Sequence, residues 1–327
     1  MAGTGQATLG IALITLVAAG SAAAQDWPAR PVSMVVPFAA GGPVDVSGRV
    51  VAQRLTEILG RQIVVENVGG AGGTTGAGRV AKAAPDGYQF LLGNIATQAF
   101  SQSLYRKPPY DAVADFAPVG LTIEQPRVLA VRKDLPVSTL PEFIAYAKAH
   151  QDKLTYGSAG AGSAAHVACL LLNSTIGVEA THVPYRSTAL AMQDIAAGRV
   201  DYICDVIIGA LPLIQSNSIK PIAYLSPRRA QVLPQLATAE EQGLANLDTS
   251  SWHAMFFPAG TPEPIVRRLN AALGETLDTP LVRERLEGLG ASIVAPDRRS
   301  PDYLARLLPA EIDKWAAPIR ASGATID

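Results

Sequence analysis

Short β-branched runs that end in glycine-rich loops and open directly into amphipathic helices recur along this 327-residue chain. That alternation constrains the fold most, because a strand whose loop feeds a helix tends to pair in parallel with the next strand. Residues 33–38 form an apolar run ending in Ala39-Ala40-Gly41-Gly42, and Pro43 then stands where a helix tolerates its missing N–H. Val46, Val50, Val51, Leu55, Ile58 and Leu59 keep one apolar stripe, which Gly60 stops. Ile63–Asn67 reads as a strand, residues 69–78 as a glycine-rich loop entering a short helix that runs to Ala84, and residues 88–92 as a third strand. A second set begins near residue 126. It has strands at 128–131, 154–156, 181–185, 200–206, 219–225 and 252–257, and helices at Leu140–His150, Ala164–Ile176 and 187–197. Ser163 caps and Gly177 ends the second of those helices, and Thr261-Pro262-Glu263 reads as a further start with Thr261 as N-cap. The pattern predicts an α/β fold with mainly parallel sheets, and the length suits two domains.

Charge narrows the function. The 27 Lys+Arg against 28 Asp+Glu leave a formal net charge of −1, which argues against nucleic acid as a partner. Charged residues are 17 %, below the roughly 25 % of an average soluble chain, and disordered chains are charge-rich instead. Residues 1–24 read as a secretory signal: residues 9–19 are apolar, Ala22-Ala23-Ala24 suits a signal peptidase, and cleavage falls before Gln25. No uncharged apolar run of about 18 residues follows, so a multi-pass membrane protein is excluded. Cys169 and Cys204 fit no zinc or redox spacing. Export permits their pairing, but their apolar contexts favour two buried free thiols.

Two strand-to-helix loops are the candidate binding elements. Phe38, Ala39, Gly41 and Gly42 belong to one; Ser158, Ala159, Gly160 and Ser163 belong to the other. Each delivers unpaired N–H groups at a helix N-terminus, where the dipole favours an anion, and small residues allow close approach. Two such loops on two domains can hold an anion from both sides. The loop at 69–78 fails as a dinucleotide fingerprint, because the third required glycine falls on Thr75, and no Gly-Lys pair forms a P-loop. His150, His166, His182 and His253 lack metal-ligand spacing, and His166 reads as a neighbour of the Ser163 cap. Asp45 complements the helix dipole, and Asp205 ends an apolar strand either as a structural group or as a ligand contact. No nucleophile–base pair, metal set or cofactor site assembles.

The chain resembles the Bug-type solute receptors of tripartite tricarboxylate transporters. The match starts at Trp27-Pro28-x-Arg30-Pro31-Val32 and Val35-Val36-Pro37-Phe38-Ala39-Ala40-Gly41-Gly42-Pro43-x-Asp45. It continues through Val64-Val65-Glu66-Asn67-x-x-Gly70-Ala71-Gly72-Gly73 and Ala84-Pro85-Asp86-Gly87-Tyr88. Tyr156-Gly157-Ser158-Ala159-Gly160-x-Gly162-Ser163-x-x-His166, His182-Val183-Pro184-Tyr185-Arg186 and Pro258-Ala259-Gly260-Thr261-Pro262 complete it. The resemblance implies a periplasmic binding protein of type II, a Venus flytrap. Residues 25–125 and 252–327 form one domain and 126–251 the other, with crossings near 124–128 and 252–257. It implies an exported monomer that captures a small carboxylate and delivers it to integral membrane permease subunits, with no cofactor and no chemistry. A sensor feeding a membrane signalling protein, or an exported hydrolase, are the alternatives. In relatives Gly follows the Arg186 position; here Ser187 does, and it would be strained if φ there were positive. Asn94 and Thr97 are expected to reach the distal end of the ligand, with Ile207 and Ile208 as an apolar wall favouring an apolar or aromatic acid over citrate. Sequence does not place Arg132, Arg186 or Arg199 in the cleft; Arg186 is the candidate to pair a second carboxylate, with a surface or interdomain salt bridge as the alternative.

Overall fold

Two sheets organise the computed structural model, which describes residues 27–327; the signal segment at 1–24 lies outside the described residues. The first sheet contains β1 (Val32–Val36), β2 (Ile63–Asn67), β3 (Gln89–Asn94), β4 (Phe116–Gln125), β10 (Ser251–Pro258) and β11 (Ser292–Ile293), in the order β11-β4-β10-β3-β1-β2. The second contains β5 (Arg127–Arg132), β6 (Thr155–Ser158), β7 (Thr181–Pro184), β8 (Tyr202–Val206) and β9 (Ile219–Tyr224), in the order β7-β6-β8-β5-β9. Both are mixed rather than mainly parallel. Only β1–β2, β1–β3, β6–β7 and β6–β8 run parallel. The chain passes from the first sheet to the second across Pro126, and each of β4, β5 and β10 then pairs antiparallel with its neighbours. The return falls at residues 249–251, ahead of the expected 252–257 segment, which pairs entirely within the first sheet.

Alternation along each strand sorts side chains to opposite faces. Val32, Met34 and Val36 join Phe90, Leu92, Met255 and Phe257 on one face of the first sheet. Helices α1 (Pro43–Leu59), α8 (Glu263–Asp278) and α9 (Pro280–Gly288) cover that face. Val35, Leu91, Ala254 and Phe256 face the other way, under α2 (Thr74–Ala81) and α10 (Pro301–Ala321). The second sheet divides likewise. Leu129, Val131 and Tyr202 pack beneath α4 (Leu140–His150) and α5 (Ala164–Ile176); Val128, Ala130 and Ile203 pack beneath α6 (Thr188–Ala196) and α7 (Ile207–Gln215). Each fully buried Leu, Val or Phe contributes about 1.5–3 kcal/mol by leaving water.

Helix ends follow local caps where a cap exists. Ser163 Oγ accepts the His166 N–H at 3.4 Å and opens α5, and Gly177, at φ +66°, closes it. Gly60 closes α1 in the same left-handed conformation. Thr261 is not the cap of α8: its hydroxyl donates to the Pro258 carbonyl, and the helix starts at Glu263. The glycine-rich stretch is partly helical, with a single 3₁₀ turn at Ala71–Gly73 running straight into α2. Cys169 and Cys204 are buried as expected but are not free thiols; they form a disulfide with Cα atoms 5.3 Å apart. α5 lies directly on β8, which brings the two sulfurs together across the core.

Candidate functional site

One small cavity between the two sheets gathers residues from both. Phe38, Gly42, Pro43, Val44, Asn94, Ser251 and His253 line it from the first; Arg127, Ala159, Ser163, Ala164, Ala165, Ser187, Thr188, Asp205 and Val206 line it from the second. Its volume is about 40 Å³, and other hollows of about 370 and 1030 Å³ exceed it. Chemistry rather than size singles it out.

The first chemical feature is the convergence of helix N-termini. Gly42, Ser163, Ser187 and Val206 are the N-cap residues of α1, α5, α6 and α7, and all four line the cavity. Only Ser163 makes a side-chain capping bond. The Ile207 N–H of α7 is taken by the Pro126 carbonyl at 3.1 Å and Pro43 of α1 has no N–H, but the four helix dipoles still place partial positive charge around one volume. The second feature is a set of orphaned polar atoms. Ser187 Oγ, Thr188 Oγ1 and Asp205 Oδ2 are buried with no hydrogen-bond partner among the described residues. Buried polar atoms of a native fold are ordinarily paired, so three orphans on one cavity mark a place where a ligand supplies the partners. Burial pushes the Asp205 carboxyl up from its ordinary value, opposed by the neighbouring Thr188 hydroxyl, which approaches it without reaching hydrogen-bond geometry, and by the charge of Arg127.

Both loops are braced from behind, and the bracing explains their composition. Asp45 Oδ2 accepts the Gly41 N–H at 2.9 Å, and Asn67 Nδ2 donates to Asp45 Oδ1 at 2.9 Å and to the Phe38 carbonyl at 3.0 Å. Burial works against the Asp45 carboxylate, but Arg49, the Gly41 N–H and Asn67 together hold it below the usual carboxylate range. Asp45 is thus a loop brace as well as a dipole partner. In the second loop Ser158 Oγ accepts the Gly160 N–H at 3.0 Å, and His166 Nδ1 accepts the Gly162 N–H at 3.2 Å. His166 and His182 pack ring against ring with centroids 4.2 Å apart. Burial pushes His166 down to about 3, aided by His182, and burial pushes His182 down to about 4. Both rings stay neutral near pH 7, so His166 keeps the lone pair that its bond from Gly162 needs.

The expected site residues therefore divide. Phe38, Gly42, Asn94, Ala159, Ser163, Ser187 and Asp205 line the cavity. Ala39, Gly41, Thr97, Ser158, Gly160, His166 and Arg186 do not. The Ala39 N–H is taken by the Arg186 carbonyl at 3.3 Å, and the Gly41 N–H by Asp45. Thr97 fixes the turn at Asn94, whose Oδ1 accepts from Ala96 and Thr97 N–H groups, leaving Nδ2 as the free donor of that side chain. The Arg186 side chain is exposed. Ser187 sits at φ −155°, ordinary extended backbone, and carries no strain. Ile207 and Ile208 are packed into the cores and form no wall of the cavity. Sequence reasoning missed Arg127, Thr188, Ser251 and His253. The one local signal was an arginine opening a strand whose next four residues are apolar.

His253, which lines the cavity, belongs to a directed chain. Gln125 Nε2 donates to His253 Nε2 at 2.9 Å; Nδ1 then donates to Ser47 Oγ at 2.9 Å, and Ser47 donates to the Val44 carbonyl at 3.2 Å. The chain ties a crossing strand to the first turn of α1. Burial, with Arg127, pushes His253 down to about 3. Among the described residues two serine hydroxyls meet a histidine ring, Ser47–His253 and Ser158–His182, but both hydroxyls are buried and neither serine lines the cavity.

The two halves are pressed together. A Cβ at Gly72 would stand 2.4 Å from the Ala161 oxygen, and one at Gly42 would stand 3.6 Å from the Ser187 Cβ. Two lobes closed over a cavity ringed by helix N-termini define a solute-binding protein of the Venus flytrap type. Residues 47–324 match the family model described as the tripartite tricarboxylate transporter family receptor. The chain belongs to that family of periplasmic solute receptors. It is 41 % identical to MatC from Rhodopseudomonas palustris, solved with bound malate, at a TM-score of 0.88 over 90 % of this chain and 100 % of that one. It is 37 % identical to the periplasmic binding protein BugD, at 0.89 over 91 % and 99 %. A second R. palustris protein, solved with adipate, is 35 % identical at 0.87 over 92 % and 100 %.

Proposed function

We propose that this chain captures a small organic acid in the cavity between its lobes and delivers it to the permease subunits of a membrane transporter. The observation that carries the reading is the convergence of four helix N-termini and three orphaned polar atoms on one volume between the sheets. The two relatives solved with malate and adipate support an acid as the ligand. The binding set is Phe38, Gly42, Asn94, Ala159, Ser163, Ser187, Thr188 and Asp205. The domains are residues 25–125 with 252–327, and 126–251. The open form offers one carboxylate-binding loop first, and closure adds the contacts of the second lobe; closing is favoured only by those added contacts.

The chain works outside the cytoplasm, as a monomer, after loss of residues 1–24. The Cys169–Cys204 disulfide supports that placement, because structural disulfides persist in oxidising compartments. Capture without chemistry is supported by the burial of both Ser–His pairs away from the cavity. The test is a thermal-shift screen of refolded residues 25–327 against mono-, di- and tricarboxylates, with sugars and cations as controls. A ligand of the native state must raise the melting temperature by mass action. A response to sugars or cations and to no acid refutes the reading.

A further inference from the structure

Arg127 is 1 % exposed, lines the cavity and makes no ion pair among the described residues. Its Nε donates to the Thr249 carbonyl at 2.9 Å and its Nη1 to the Cys204 carbonyl at 3.0 Å. Those bonds staple both interlobe crossings to β8, but they occupy only two of the five N–H donors of a guanidinium. The remaining donors lie on a buried cation whose charge no neighbour neutralises in direct contact. Burying an uncompensated charge is among the most expensive things a fold does, and a neutral side chain would staple two carbonyls without that cost. Asp205 and Asp248 act on Arg127 only through space, and neither forms an ion pair with it.

We infer that Arg127 receives a second carboxylate of the ligand, so that the cavity selects diacids over monoacids. This rests on the reading of the chain as an organic-acid receptor and deepens it. The first carboxylate meets the helix N-termini, which offer neutral N–H groups and dipoles. The second meets a full positive charge with planar donors, a geometry that carboxylates match. The arginine expected from sequence, Arg186, is outside; the one that lines the cavity is the one that opens β5.

The test compares diacids of three to six carbons, each against its own half-amide, by calorimetry on the refolded protein. A half-amide keeps the shape and removes one charge. The wild type should bind the best diacid about 10- to 100-fold more tightly than its half-amide, the scale of a charge-assisted contact. Arg127→Gln should bring that ratio close to one, and Arg127→Lys should restore part of it. A purely structural staple would lower both affinities together and leave the ratio unchanged, and that result overturns the inference. Equal affinities for a diacid and its half-amide in the wild type overturn it without any variant, which covers the case of a variant that does not fold. Tight binding of monoacids alone also overturns it while leaving the organic-acid receptor intact. Binding of no acid at all removes both.

Discussion

Replacing Gly72 by alanine separates closure of the lobes from the quality of either loop. Gly72 lies in the 3₁₀ turn of the first lobe at φ +63°. An added Cβ would stand 2.4 Å from the Ala161 oxygen, 2.7 Å from the Gly162 carbonyl carbon and 2.8 Å from the Ser163 nitrogen, all backbone of the second lobe. Backbone in a braced loop cannot step aside as a flexible side chain does, so relief comes from parting the lobes. Overpacking of this kind costs about 1–3 kcal/mol. Charged to the closed form alone, it weakens ligand binding about 5- to 150-fold. A positive φ adds strain of about 1–2 kcal/mol for a non-glycine residue, but that falls on open and closed forms alike. Gly60→Ala isolates the strain term, since Gly60 has φ +66° and nothing within 4 Å of an added Cβ. Calorimetric titration with the acid found in the screen, beside thermal melts of each variant, reads both quantities. Both variants should lose similar stability, and only Gly72→Ala should lose affinity. If Gly72→Ala binds within about twofold of wild type, or Gly60→Ala loses as much, closure across this contact does not make the site.

Other consequences follow from the same structure. Reducing the Cys169–Cys204 disulfide, which closes a separation of 35 residues, should cost about 4 kcal/mol on the chain-entropy scale, read as a lower denaturant midpoint with dithiothreitol; an unchanged midpoint would deny it a structural role. His253 binds its proton less readily folded than unfolded, so it contributes stability above its unfolded pKa of about 6.5 that is lost as pH falls toward its folded value of about 3. The loss reaches about 2 kcal/mol by pH 5, and His253→Gln should flatten the fall in melting temperature over that range. Ser187→Ala removes a buried hydroxyl that has no protein partner. It should leave ligand-free stability equal or higher while weakening acid binding about 5- to 10-fold; a loss of stability with full affinity would show the hydroxyl serves the fold instead.

Much of the local architecture was legible. The bounds of Leu140–His150 and Ala164–Ile176 follow from signals within one turn of each end, and the two anion-facing loops from glycine placed between a strand and a helix. β4 was not legible, because Pro118 and Gly120 interrupt its apolar run and its strand character comes from pairing with β10. α7 escaped for a similar reason: it is apolar nearly all round and contains Pro212, so no amphipathic period marks it. Within the site, Ser158, Gly160 and His166 were picked out with the right loop. Whether a loop residue faces the ligand or braces its neighbour depends on bonds such as Gly162 N–H to His166 Nδ1, and residue type alone does not reveal them.

By itself, then, the amino-acid order settled what depends on neighbours within a few residues. That covers strand–loop–helix units, helix caps and glycines at loop positions. Tertiary structure decided what depends on distant partners. Arg127 gains its place from carbonyls 122 and 77 residues away, His253 from Ser47 at a separation of 206, and the disulfide from α5 lying on β8. The physical reason is range: backbone preferences and capping act over one turn. A buried charge, an orphaned hydroxyl or a clash across the lobes is defined only once chain closure has set which groups lose water together.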